Sequence, residues 1–485
     1  MKTLSAVDTA VSSIKTGDPS FRYEDIPLDD ASTFRMLQSG HTIGVFQLES
    51  PAQRSLQSRL GAREVEDIVS SVALIRPGPI KGNMVEPFLA RRAGREKVTY
   101  LHPDLKPILE KTYGVVLFQE QVIEIATRVG GFTPGDADRL RRAMTHYRSP
   151  EEMEDIGKDF VAKAASRGVP EGTAREIFQM MKGYASYGFC EAHAAAFAST
   201  AYKTAYLIQH YPAHFFAAIL SRQPMGYYSP ATITVEARRR GIGILPLSIN
   251  ESGRDFQVEG EGIRVALSRV KGIRQGEVVS ILKGRPYPSL QDFLERRRVC
   301  LDTAGSLVLG GAFDALDDNR RALLCQIEAW RRGLSFPGRP QDFSHAERIL
   351  QEYEVLCLWV SGHYMEVFRE RLRKRGFLSS CELERLRDGS RVRVAGLPVR
   401  PHRPPTRSGR TVVFLSLEDE TGLIDIVVFE NIYQRCGQFI FSPEVLPLEV
   451  EGTLKRRGRG GSIVASWVKP MGPGALASWE EGPVL

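Results

Sequence analysis

Apolar positions keep a helical spacing through most of this chain and switch to alternation only from Arg391 onward. Within residues 183–205, GYASYGFCEAHAAAFASTAYKTA, the run Phe197, Ala201, Ala205, Ile208 follows a 3.6-residue period, which predicts a helix from Glu191. Glu191 falls in its first turn, where a carboxylate favours the helix dipole. Just ahead, Gly188 lies between Tyr187 and Phe189, a setting for a tight turn whose backbone can approach a flat ligand closely. Upstream, Asp30 can cap a helix carrying Phe34, Met36 and Leu37. Residues 44–50 read as a brief apolar strand or turn, followed by a helix with Arg54 and Arg59 on its exposed side. Tyr113 to Val122 reads as a buried, strand-like segment passing into a helix, and at least one of Gln119, Glu120 and Gln121 is expected to hydrogen-bond another segment. Residues 135–144 are helical in pattern, with Asp136 in the cap or first turn. Side chains two apart on a helix point roughly 200° from each other, so Asp136 and Asp138 are not read as a metal-binding pair.

After a loop at 223–230 and a helix containing Glu236 to Arg240, Val270 to Gly276 forms a glycine-flanked hairpin ahead of an apolar helix, and a comparable unit recurs at 302–316. Residues 331–345, rich in Gly, Pro, Ser and Arg, suit a linker, and a helix is expected around 346–375. The alternating segments at 392–394, 412–417, 423–429, 446–450 and 463–468 suggest a small barrel of the oligonucleotide-binding type, with basic loops at 400–410 and 455–459. The fold class is thus multidomain α+β: largely helical, ending in a small all-β barrel. The expected boundaries are 1–225, 226–330 with the tandem hairpins, a linker and helical segment at 331–385, the barrel at 386–470 and a tail at 471–485.

Composition adds the sign of the partner. The 485 residues carry a formal charge of +7, and arginines cluster at 371–375, 391–410 and 455–459. That pattern points to polyphosphates or nucleic acid rather than membranes, with a solvated basic face as the plain alternative. No apolar run approaches the ~20 residues of a membrane span, and the opening lacks a signal-peptide core, so a cytoplasmic protein is expected. The six cysteines are dispersed without a CxxC pair, and His210 and His214, with Pro212 between them, read as structural.

Several residues are candidates for chemistry. A turn followed by a helix N-terminus, carrying Tyr187, His193 and Lys203, suits a planar ligand bearing phosphates; an alanine-rich core helix behind an aromatic turn is the alternative. Arg141 and Arg142 are adjacent guanidinium groups able to clamp a triphosphate. Arg76 and Lys81 flank the Pro-Gly-Pro loop at 77–79, whose stiff backbone suits phosphate contact. In the first hairpin, Lys271, Gly272 and Gly276 would offer a cation and backbone amides to a phosphate without reading bases. Arg403 and Arg410 lie in the first basic loop of the barrel.

The segments VFQLES (45–50), RPGP (76–79), YGVVLFQEQV (113–122), ADRLRRAM (137–144), SYGFxxxHAAAFA (186–198) and GGAFDAL (310–316) occur in the order seen in the C-family bacterial DNA polymerases, the polymerase III alpha subunit and its relatives, which the chain resembles to about residue 470. MGYYSP (225–230) and the lack of a good clamp-binding peptide at 325–345 look more like the error-prone branch. The resemblance implies helical fingers with tandem helix-hairpin-helix units and a single-strand-directed barrel. Arg141 and Arg142 would contact the triphosphate of an incoming dNTP, with Tyr187, Gly188 and His193 against its base and sugar. Primer-template DNA would be met by Arg76, Lys81, Lys203, Lys271, Gly272, Gly276, Arg403 and Arg410.

Catalysis in the family requires palm aspartates that hold two magnesium ions. This chain has no PDxDxDF motif and starts Met1-Lys2-Thr3-Leu4, the K/R-T-L that follows the third aspartate in the family. The expectation is a C-terminal portion without catalytic or metal-binding residues of its own. It would need an N-terminal polymerase fragment, with the sliding clamp or other mutagenesis proteins as further partners. A non-catalytic DNA-binding accessory protein and a truncated remnant are the alternatives.

Overall fold

Capping chemistry sets where many of the helices begin. In the computed structural model, which describes residues 2–76, 84–145, 150–183, 189–296, 298–404, 409–442, 446–458 and 460–472, the Asp30 carboxylate accepts the Thr33 amide at 2.7 Å and opens helix Ala31–Ser39. Ser50, Ser229, Ser289, Asn319 and Ser344 cap their helices in the same way, each worth about 1 kcal/mol. The chain divides into two compact units: residues 27–206 with 457–460, and residues 1–26 with 207–456 and 461–485.

The first unit is helical. Helices Pro51–Leu60, Val65–Leu74, Val85–Arg92, Gln119–Arg128, Pro134–Thr145, Pro150–Ser166 and Glu171–Gly183 pack around Phe88, Phe118 and Phe160, with Tyr202 from helix Glu191–His210 also fully buried. Residues 115–118 are buried and extended, and Phe118 makes a parallel bridge to Phe189 before the chain turns into helix Gln119–Arg128. Residues 44–49 form turns rather than a strand. Arg54 and Arg59 do not lie on an exposed face: both are half-buried, and Arg59 pairs with Glu86 at 2.5 Å.

The second unit opens with helices Lys2–Gly17, Pro212–Ser221 and Pro230–Arg239. Next comes a small sheet of β1 (Gly243–Leu245), β2 (Gln257–Glu259) and β3 (Gly262–Arg264) in the order β1-β3-β2, parallel at β1/β3 and antiparallel at β2/β3. Strands this short leave no readable alternation, so the pattern did not reveal them. Helices Gln275–Gly284, Leu290–Glu295, Leu301–Leu309 and Arg320–Arg331 follow.

The single helix expected around 346–375 is two, His345–Leu356 and Glu366–Lys374. Cys357 closes the first with a left-handed φ of 51°. The intervening residues are drawn into a buried cluster in which Trp359 Nε1 donates to Glu418 Oε1 at 2.9 Å and the ring of His363 lies 4.7 Å from that of Trp359. A tertiary anchor therefore overrides the local pattern.

The alternating C-terminal segments close into a barrel with strand order β4-β5-β6-β8-β7: β4 (Arg391–His402), β5 (Val412–Asp419), β6 (Gly422–Phe429), β7 (Leu448–Arg457) and β8 (Gly460–Pro470). Val392, Val394, Leu415, Leu417, Ile424, Ile426, Val450 and Ile463 fill it from alternate positions, each contributing about 1.5–3 kcal/mol by burial. Helix Glu430–Ile440 separates β6 from β7 and buries Cys436 and Ile440 against this core.

Candidate nucleic-acid and nucleotide interface

The helix from Glu191 starts where other segments hold it. Gln121 pins the buried 115–118 segment from inside, accepting the Leu117 and Phe118 amides (2.8 and 3.1 Å) and donating to Ile108 O and Thr112 Oγ1. The Gln119 amide donates to Phe189 O at 3.0 Å, and the Glu120 carboxylate accepts the Glu191 amide, also at 3.0 Å. Lys111 in turn pairs with Glu191. All three polar residues of that trio thus bond within or across segments. The consequence differs from the anion-binding helix end expected above: an internal carboxylate already sits there, so a phosphate would have to be held by side chains.

Those side chains gather around a run of rings. Phe46 packs edge-on to Phe197 with centroids 5.3 Å apart, Phe197 lies 4.1 Å from the His193 ring, and His193 lies 5.2 Å from Phe189. The Arg76 guanidinium stands 3.5 Å from the Phe189 centroid, a contact worth about 0.5–2 kcal/mol. His193 is exposed and Lys203 half-buried on the same helix. Phe189 is the member of this cluster that sequence reasoning had no role for. Its signal, an aromatic directly after Gly188, was read only as a flank of the turn. Tyr187, Gly188 and Lys81 lie outside the described residues.

Arg141 and Arg142 form a second cluster around Asp138, at 2.8 and 2.7 Å. Both arginines retain exposure, and surface pairs of this kind contribute little, so either guanidinium can exchange its carboxylate for a phosphate. The hydrogen bond from Arg141 holds the Asp138 carboxyl below its ordinary range, and that from Thr133 does the same for Asp136. Asp136 also meets Lys163 at 3.2 Å. These carboxylates are therefore engaged by cations. Among the described residues no group of three or more His, Cys, Asp or Glu is placed to hold a metal ion.

The two glycine hairpins prove different in kind. In the first, Gly272 has φ +83°, a conformation that side chains other than glycine rarely adopt, and a Cβ there or at Gly276 would meet only open space. Lys271, Gly272 and Gly276 are all exposed. The Arg274 amide is taken by Glu277 at 2.8 Å. The next amides, those opening helix Gln275–Gly284, have no acceptor one turn back within it, and the Glu277 carboxylate stands at the same helix start. In the second hairpin, a Cβ on Gly311 would lie 2.5 Å from Arg320 Nη2. Arg320 is buried there between Asp314 (2.6 Å) and Glu352 (2.8 Å) and also donates to Leu309 O. That hairpin is filled from within by Arg320.

On the barrel, Arg403 is exposed beside the Tyr433 ring, 5.9 Å from its centroid, with Nη1 donating to the hydroxyl at 3.4 Å. His402 stacks on Phe414 at 5.7 Å, and Arg410 is exposed. Phe429 and Phe441, at either end of helix Glu430–Ile440, are also exposed. Cations interleaved with rings are the composition that holds unpaired bases. Tyr433 and Phe441 escaped the sequence reading because their helix interrupts the strand pattern.

Comparison with known proteins bears on the family. Residues 3–168 match the model of the bacterial DNA polymerase III alpha subunit finger domain, and residues 241–323 match a helix-hairpin-helix motif. A protein named error-prone DNA polymerase from Symbiobacterium thermophilum is 53% identical over 96% of this chain and 48% of its own length. The chain belongs to the C-family bacterial DNA polymerases. Proteins of the same name from Anaeromyxobacter dehalogenans and Corynebacterium glutamicum are 38% and 36% identical, over 93% and 94% of this chain and 42% and 44% of their own lengths. The chain thus spans a little under half the length of these relatives. The finger match encloses Arg76, Arg141 and Arg142, and the hairpin match encloses Lys271, Gly272 and Gly276. His193 and the barrel lie beyond both. Among the described residues no helix is long and apolar enough to cross a membrane.

Proposed function

We propose that this chain is the part of an error-prone, polymerase III alpha-type DNA polymerase that binds primer-template DNA and the incoming dNTP, for synthesis during replication or translesion repair. The reading is carried by the open, outward-facing hairpin at Lys271–Gly276 within a chain 53% identical to a protein of that name. Arg141 and Arg142 would trade Asp138 for the triphosphate. The ring of His193, continued by Phe189 with Arg76, would bear against base and sugar, and Lys203 and the hairpin would take DNA phosphates. Magnesium, when bound to the complete polymerase, would activate the primer hydroxyl through carboxylates of a palm region that this chain does not supply.

The test uses the chain with a labelled primer-template. Expected is binding that weakens linearly in log salt, as released counterions require, and no primer extension with dNTPs and magnesium until a polypeptide covering the remaining part of a relative is added. Binding without extension even then favours a DNA-binding accessory role. Robust extension by the chain alone would overturn the division of labour, and absence of DNA binding would overturn the reading as a whole.

A further inference from the structure

A cleft of about 630 Å³ opens on the outer wall of the barrel, on β4, β7 and β8, away from the β4–β5 loop that carries Arg403 and Arg410. Arg375, Arg393, Glu449, Glu451, Trp467 and Lys469 line it. Its floor is built around one carboxylate. Glu449 points away from the barrel core yet is only 1% exposed, because Arg375 grips it through both oxygens (2.7 and 2.9 Å) and Lys469 approaches to 3.5 Å. Two cations against a single buried carboxylate leave positive charge at the cleft. Arg393, 54% exposed, is tied by a surface pair to Glu451 at 3.1 Å, which costs little to exchange.

Beside them Trp467 stays 40% exposed, with Lys469 Nζ over one face of its ring, 4.7 Å from the centroid, which leaves the other face to a ligand. A large apolar ring part-exposed on a strand, with an ammonium group over one face and guanidinium groups in the same cleft, matches one ligand chemistry: a flat base with a phosphate a sugar's width away. An acidic peptide would answer the cations but would want an apolar anchor pocket, and the one other ring of the cleft, Phe377, is itself buried beneath Arg375.

We infer that this wall is a second site for single-stranded nucleic acid, in which an unpaired base stacks on Trp467 while Arg393 and Lys469 meet the flanking phosphates. The inference rests on the reading of the chain as DNA-binding, but on residues separate from those that carry it.

The test titrates the full chain with (dT)12, following tryptophan fluorescence and, separately, anisotropy of labelled oligonucleotide. Quenching that is present in the wild type, lost in W467F, and absent with an abasic strand of equal charge supports the site. So does an affinity at least about fivefold weaker in W467A, the loss of one stacked base. R393A should lower the salt slope by about 1; its melting transition should match the wild type. Binding of (dT)12 unchanged by W467A and R393A overturns the inference while leaving the proposed function standing. Equal quenching by a polyglutamate peptide reassigns the cleft and also overturns it. Failure to bind either (dT)12 or primed duplex removes the broader reading and this one with it.

Discussion

Glu236 offers a sharp quantitative check on how the second unit is held. Its carboxylate, 2% exposed, is bracketed by Arg239 and Arg240, each at 2.7 Å, in the last turns of the helix that leads into β1. Burial pushes its pKa up, but the charge of Arg240 and the bonds from Arg239 overcome this and bring it from 4.5 down to about 2. A depressed carboxyl pKa contributes stability that is complete above the unfolded value and is lost as pH falls toward the folded one. At about 1.4 kcal/mol per pH unit, the drop corresponds to about 3 kcal/mol. Substituting E236Q keeps the shape and removes the charge that Arg239 and Arg240 bracket. The gap in unfolding free energy between wild type and E236Q, measured by urea denaturation, should be about 3 kcal/mol at pH 7. Protonation of the unfolded chain should then shrink that gap by about 2 kcal/mol at pH 3. The arginines stay charged throughout, so the change reports Glu236 alone. A gap that stays constant from pH 7 to 3 would refute the argument.

Other outcomes follow from the same contacts. Replacing Lys271 by alanine should weaken primed-duplex binding and lower its salt slope by about 1, whereas G272V should cost both binding and stability, since its φ of +83° disfavours a β-branched residue. Removing Arg320 as R320M leaves Asp314 and Glu352 uncompensated and should destabilise by about 3–5 kcal/mol, seen as a lower melting temperature, with the salt slope of binding by the folded protein unchanged. E120A should cost about 1 kcal/mol in urea unfolding through loss of the Glu191 amide bond, and E120Q, which keeps an acceptor, should cost less.

Much of the architecture follows from local chemistry. Alternation from Arg391 onward could satisfy its apolar positions only by closing strands around them, and Asp30, Ser229 and the glycines at 272 and 276 mark helix starts and a turn through backbone needs that are purely local. Motif order was equally legible, because each segment carries its residues in one short run. Tertiary structure decided what each polar group is free to do. Glycine-flanked hairpins that look alike in sequence separate into one open to solvent and one plugged by Arg320, a residue several positions beyond its turn. The helix end at Glu191 is silenced by Glu120 from a distant segment, and the helix expected through 346–375 breaks to seat Trp359 on Glu418. Spacing along a chain specifies an element; which of its charges remain unspent is a property of neighbours that only folding brings together.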